Sequence, residues 1–126
     1  DLTVLQALYA DAQVKPAIVQ NRFYFDSNYD VELRQWCKEQ GLVYQNFWSL
    51  TANPHVFASE MVQALAKQYK KTPEQLFFNF LHQIGIVPLS GTGNEQHMRD
   101  DLAIFDFTLR AEEITAMDKL LRHVKD

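Results

Sequence analysis

The sequence predicts an α/β fold in which about three parallel strands alternate with flanking helices. Apolar runs at 17–20, 42–48 and 86–89 each follow a helical stretch, and each opens into a loop leading to another helix. That alternation is the signature of right-handed βαβ crossovers. Parallel strands are normally buried on both faces, and closing them into a barrel takes about eight. A sheet of three keeps two open edges and an uncovered inner face, surfaces that promote association.

Each element has its own local cause. Leu2, Leu5, Leu8 and Tyr9 recur at helical spacing over 2–12, and Lys15-Pro16 stops that helix and releases a strand over 17–23. Asp30 is placed to cap a second helix with Leu33, Trp36 and Cys37 on its apolar face, and Gly41 supplies the left-handed residue that ends it. The stretch 49–54 is a polar loop. Met61 or Val62, Leu65, Ala66 and Tyr69 mark a third helix. Thr72-Pro73-Glu74-Gln75 reads as a capping box with proline at the first helical position, and Leu76, Phe77, Phe80, Leu81 and Ile84 form one face of the helix it starts. Gly85 closes that helix, a short strand follows, and Asn94 or a neighbour caps a helix containing Met98 and Leu102. The last helix carries Ile114, Met117, Leu120, Leu121 and Val124.

Composition bounds the function. A chain of 126 residues with 47% hydrophobic content supports one domain, 1–126, with a real core. A net charge of −4 argues against a nucleic-acid surface, and no apolar run approaches the ~18 residues of a membrane span. The lone Cys37 excludes an internal disulfide and fits a reducing, cytoplasmic setting, buried and inert on a helix face. Asp1 stands where a methionine would, so the N-terminus reads as trimmed, processed or cut from something longer. Neither metal-ligand spacing nor a GxGxxG loop is present. Gln20 draws attention because an amide buried in an apolar strand needs partners.

Five stretches in order resemble the C-terminal part of an aldo-keto reductase: 14–24 (VKPAIVQNRFY), 32–44 (ELRQWCKEQGLVY), 71–76 (KTPEQL), 86–92 (IVPLSGT) and 94–109 (NEQHMRDDLAIFDFTL). The likeness runs from about residue 1 to 121 and implies a partial, truncated TIM-type (β/α) barrel holding strands six to eight. It implies that the family's catalytic aspartate, tyrosine, lysine and histidine, which sit on earlier strands, have no counterpart here. Without the tyrosine to protonate the carbonyl, the chain alone is not expected to reduce carbonyls by the family mechanism.

The same resemblance implies a surviving cofactor half. Gln20 matches the glutamine that holds the nicotinamide carboxamide, and Trp48 stands where a tyrosine usually stacks on the ring. Ser49 and Leu50 fall in the pyrophosphate loop, and Ser90 and Thr92 in the turn that meets the adenosine phosphate. Two departures weaken NADP binding: Leu89 and His97 replace the lysine and arginine that grip the 2′-phosphate. Arg99 is a candidate substitute that points elsewhere on the helix, and Asp100 and Asp101 add negative charge. The expectation is therefore no required cofactor, or weak NADP(H).

Tyr24, Asp26 and His55 follow strands on the side where barrel sites lie and are the candidate acid–base groups, with a solvated loop as the competing reading. His82 and His123 read as ordinary helix residues. The expected function is binding of a small organic molecule in the former cleft, lined by Gln20, Tyr24, Asn46, Trp48 and Ser90, with non-redox isomerisation, dehydration or cyclisation. The alternatives are a cofactor-binding piece or subunit of an NADP-dependent oxidoreductase, and a non-enzymatic interaction module. Expected partners are a second copy or a complementary barrel half.

Overall fold

The computed structural model describes residues 1–122. Strands β1 (Ile18–Arg22), β2 (Val43–Phe47) and β3 (Ile86–Pro88) form one parallel sheet in that order. Helices α1 (Leu2–Asp11) and α2 (Val31–Gln40) flank β1, and α3 (Pro54–Ala58), α4 (Glu60–Tyr69) and α5 (Pro73–Gln83) link β2 to β3. Helices α6 (Glu95–Leu102) and α7 (Ala111–Arg122) complete this three-strand sector of a (β/α) barrel. His123 and Val124, read from sequence as part of the last helix, lie outside the described residues. Among the described residues no helix is long and apolar enough to cross a membrane.

The sheet has one covered face and one bare face. Tyr44, Asn46 and Ile86 point to the helix-backed side and are buried. Ile18, Val43, Phe47 and Val87 alternate with them and remain 55%, 45%, 37% and 41% exposed. Gln20 belongs to this second set, which corrects its reading as a buried amide. It pairs in register with Gln45, and its Nε2 donates to Gln45 Oε1 at 3.3 Å on the open surface. The cause is that the helices pack against one side of the sheet only.

Helix α5 is the centre of the core. Its capping box forms as the sequence predicts: Gln75 N donates to Thr72 Oγ1 at 3.1 Å, and Thr72 N donates to Gln75 Oε1 at 2.9 Å. The predicted single apolar face is too narrow, however, because Phe78 and Asn79 are buried as well. The 3-10 turn Ala103–Phe105 covers that far side, and Asn79 Nδ2 donates to the carbonyls of Ile104 at 2.7 Å and Phe107 at 2.9 Å. Phe77 meets Phe23, Phe57 and Phe80 at ring separations of 6.4, 5.7 and 6.1 Å.

Helix ends show where local signals hold and where they fail. Gly41, at φ 73°, ends α2 in the left-handed conformation that glycine adopts without a Cβ clash. Asp30 precedes α2, but its side chain does not cap it. Its Oδ2 instead accepts from Asn21 Nδ2 at 2.8 Å and from the Tyr44 hydroxyl at 2.6 Å, bonding the helix entry to the two strands beneath. Burial, reinforced by that carboxylate, pushes the Tyr44 hydroxyl upward. Leu8 is exposed, and α6 buries none of its residues, leaving Met98 and Leu102 at the surface. Cys37 is buried, and that burial raises its thiol pKa.

Candidate functional site

Parallel strands bring the loops that follow their C-terminal ends to one rim, and sites in such folds form there. Here β2 stops at Phe47 and the chain turns at Trp48, whose φ of 62° is left-handed and strained for a tryptophan. Trp48 is 48% exposed. The Arg22 guanidinium stands 5.5 Å from its centroid and the Tyr24 ring 6.1 Å away.

Ser49, the next residue, is 2% exposed and its Oγ has no hydrogen-bond partner. Asn53, fully buried, anchors the loop: its Nδ2 donates to the carbonyls of Ser49 at 2.7 Å and Phe23 at 2.9 Å. The 49–54 segment is thus tied down at both ends, and the short α3 that follows was not legible as a helix.

The second wall grows from β3. Leu89 N donates to the Asn46 carbonyl at 2.8 Å, holding the departing chain beside β2. The Ser90 hydroxyl donates to Asp101 Oδ2. Thr92 Oγ1 accepts from Asn94 N at 3.1 Å and lies 3.5 Å from His97 Nδ1, while Asn94 Oδ1 accepts from His97 N at 3.2 Å and caps α6. Gln75 Nε2 donates to the Asp100 carbonyl at 2.9 Å, clamping α6 onto the start of α5.

Between these walls lies a cavity of 540 Å³, within the roughly 300–1,000 Å³ usual for small-molecule sites. Of the sequence-predicted cofactor residues, Trp48, Ser49, Leu50, Ser90 and Thr92 line it, together with Leu89 and His97. Gln20 does not; it stands on the bare sheet face. Thr72, Glu74, Gln75 and Phe78 also line the cavity and were missed. The capping box could have pointed to them, because a helix N-terminus is a natural anion site.

The candidate acid–base residues are not gathered there. Tyr24 packs against Trp48 and Asp26 is exposed in the 3-10 turn Phe25–Asp30. His55 sits in α3 with Nε2 buried and unpartnered, and burial lowers its pKa. None of the three lines the cavity. Asn46, expected in the cleft, is fully buried on the helix-backed face with both amide atoms unpartnered. His82 makes an edge contact with Phe105 at 5.0 Å. Among the described residues no three His, Cys, Asp or Glu side chains converge to hold a metal.

The lining fits a dinucleotide in part. It offers an exposed indole, a buried free hydroxyl and a capped helix start. Its charged groups are Glu74, Asp100 and Asp101, with His97 and neither lysine nor arginine. Arg99 is ion-paired to Glu95 at 2.6 Å and lies outside the lining. The cleft therefore offers a ring a face to stack on but no lysine or arginine to a phosphate group.

Comparison with known proteins identifies relatives of the whole chain. The model of the aldo/keto reductase family matches residues 37–122. The (1S)-1,7-diacetoxy-luvungin A aldo-keto reductase of Citrus sinensis is 29% identical over 125 residues, covering 92% of this chain and 38% of its own length. The crystal structure of MGS-M4, an aldo-keto reductase enzyme from a Medee basin deep-sea metagenome library, superposes with a TM-score of 0.84 at 19% identity, covering 100% of this chain and 47% of that one. A variant of Gox0644 crystallised in complex with NADPH superposes at TM-score 0.80 and 18% identity, covering 95% and 44%. The chain spans less than half the length of each.

Proposed function

The chain belongs to the aldo/keto reductase family, and from that premise we propose that it is the cofactor-holding sector of a carbonyl-reducing barrel. Its cleft beside Trp48 receives a nicotinamide dinucleotide, and its bare sheet face receives the strands that carry the proton donor. One observation carries this reading: five predicted cofactor residues, drawn from loops about forty positions apart, meet in a single cavity. The nicotinamide supplies the hydride when bound. Trp48 offers a stacking face, Ser49 an unspent buried hydroxyl, and the loop after β3 a polar wall.

The occupant of the bare face is a complementary barrel half. Ile18, Val43, Phe47 and Val87 present apolar side chains, and among the described residues the outer edges of β1 and β3 have no neighbouring strand. A second copy covering the same surface is the competing arrangement. The setting is cytoplasmic, consistent with the lone buried Cys37.

Calorimetric titration with NADH and with NADPH tests the reading. Saturable binding that is lost in Trp48→Ala, with aldehyde reduction only after an N-terminal barrel half is added, is the expected result. Failure of both nucleotides to bind would overturn it. Turnover of a small organic compound without nucleotide would favour acid–base chemistry instead, for which the buried, unpartnered Nε2 of His55 is the supporting observation. Sedimentation separates the assemblies: a 14.7 kDa monomer at micromolar concentration excludes the homodimer.

A further inference from the structure

We infer that this cleft takes an organic ammonium ion, held by the carboxylates of Glu74, Asp100 and Asp101. The inference goes beyond the nucleotide reading: it shares the cavity but none of that reading's premises. The three acidic side chains line one 540 Å³ space, Glu74 from the start of α5 and the two aspartates from α6. Against them the lining sets one imidazole, His97, and neither lysine nor arginine. Among the described residues none of the three is ion-paired. Asp101 Oδ2 accepts from the Ser90 hydroxyl and Asp100 Oδ1 from Gln96 Nε2 at 2.9 Å, both neutral donors. Their negative charge is therefore uncompensated, and a cleft lined by one sign of charge draws in the other.

The helix starts do not reverse that sign. A helix N-terminus carries about half a positive charge, but Gln75 N is already given to Thr72 Oγ1 at 3.1 Å and Glu74 sits in the same first turn. His97 N is likewise given to Asn94 Oδ1 at 3.2 Å. An independent mark of a ligand comes from the facing loop. Ser49, also in the lining, is 2% exposed and its Oγ has no partner, so it can accept from an ammonium N–H. A metal ion does not suit the place, because no three His, Cys, Asp or Glu side chains among the described residues converge to hold one. Carboxylates spread along a wall suit a cation with an apolar body instead. Leu50, Phe78 and Leu89 supply apolar contact for that body, and the half-exposed Trp48 indole supplies a face that attracts cations.

The test is calorimetric titration of the full chain with 2-phenylethylamine in its ammonium form, with 2-phenylethanol and with phenylacetate, which share a ring and differ in the charge of the tail. The ammonium is expected to bind about tenfold more tightly than the alcohol, with the carboxylate weakest, and the preference should shrink as salt screens the wall. The triple variant Glu74→Gln/Asp100→Asn/Asp101→Asn, its fold checked by far-UV circular dichroism, should bind amine and alcohol alike. Should that variant misfold, the salt series on the unmodified chain decides. No binding of the amine, phenylacetate binding as tightly as the amine, or a preference that salt or the triple variant leaves unchanged overturns the inference. The nucleotide titrations are read separately. Amine binding without nucleotide binding sinks the cofactor reading alone, and nucleotide binding without amine binding sinks this inference alone.

Discussion

The two faces of the sheet are built from the same three strands and have opposite fates. Tyr44 and Ile86 are 3% and 1% exposed on the helix-backed face, whereas Val43 and Val87, one residue away on the same strands, are 45% and 41% exposed. A strand turns successive side chains to opposite faces, and here both sets include apolar residues, so the pattern alone does not say which set is dry. What differs is the cover. The backed face carries the packed core, and the bare face leaves apolar side chains at the surface. Polar groups follow the same division. On the backed side Asp30 is committed to Asn21 and Tyr44, while on the bare side Gln20 reaches only its register partner Gln45.

Substitutions can break or sharpen that contrast. The largest effect belongs to the backed side: Phe77→Ala should lose about 3–5 kcal/mol in urea unfolding, because a fully buried ring leaves a cavity among Phe23, Phe57 and Phe80. A loss near zero would show that the core does not depend on α5.

Next comes the carboxylate of Glu113, 5% exposed. Burial alone would raise its pKa, but hydrogen bonds from the Tyr69 hydroxyl and from the Arg110 backbone and side chain outweigh that, and its net shift is downward. A carboxylate depressed in the folded state stabilises fully above its unfolded pKa and loses that contribution as pH falls through the folded one. Glu113→Gln should therefore cost on the order of 1–3 kcal/mol at pH 7, and the difference from the parent should shrink on acidification. A difference independent of pH would assign the effect to packing.

On the bare side the expected sign changes. Phe47→Ser and Val87→Ser should move the stability of the isolated chain by no more than about 0.5 kcal/mol, yet they should weaken capture of a complementary barrel half in sedimentation. A large loss of stability in these variants would mean that the face is packed, and the contrast would fail. At the rim the effect on stability is comparably small. Trp48→Gly relieves a left-handed tryptophan, so unfolding should leave stability unchanged or raise it by up to about 1 kcal/mol. Dinucleotide binding should nevertheless disappear.

Much of this was readable from local chemistry. The three strands, the Thr72–Gln75 capping box and the Gly41 stop depend on residues within a few positions of one another, and the family likeness on five short stretches in order. The residues expected to hold a cofactor, apart from Gln20, come together in one cavity because they sit in the loops that directly follow β2 and β3. The misses share a cause. Asp30 sits at a capping position, but its carboxylate turns to Tyr44, fourteen residues on, and the second side of α5 is covered by a turn more than twenty residues away. Tyr24, Asp26 and His55 suit acid–base work by residue type, but the fold holds them outside the cavity.

Residue order alone settled the number and sequence of strands and most points where helices begin and stop, since these rest on short-range periodicity and on steric rules for glycine and proline, while the lineage rested on a resemblance carried by five stretches in order. Long-range packing settled which sheet face stays open, which buried amides clamp which loops, and how Ser90 comes to give its proton to Asp101. Those outcomes depend on which surfaces meet, and hydrogen-bond partners distant in the chain are chosen by burial, because a polar group removed from water must take whatever donor or acceptor the packing brings to it.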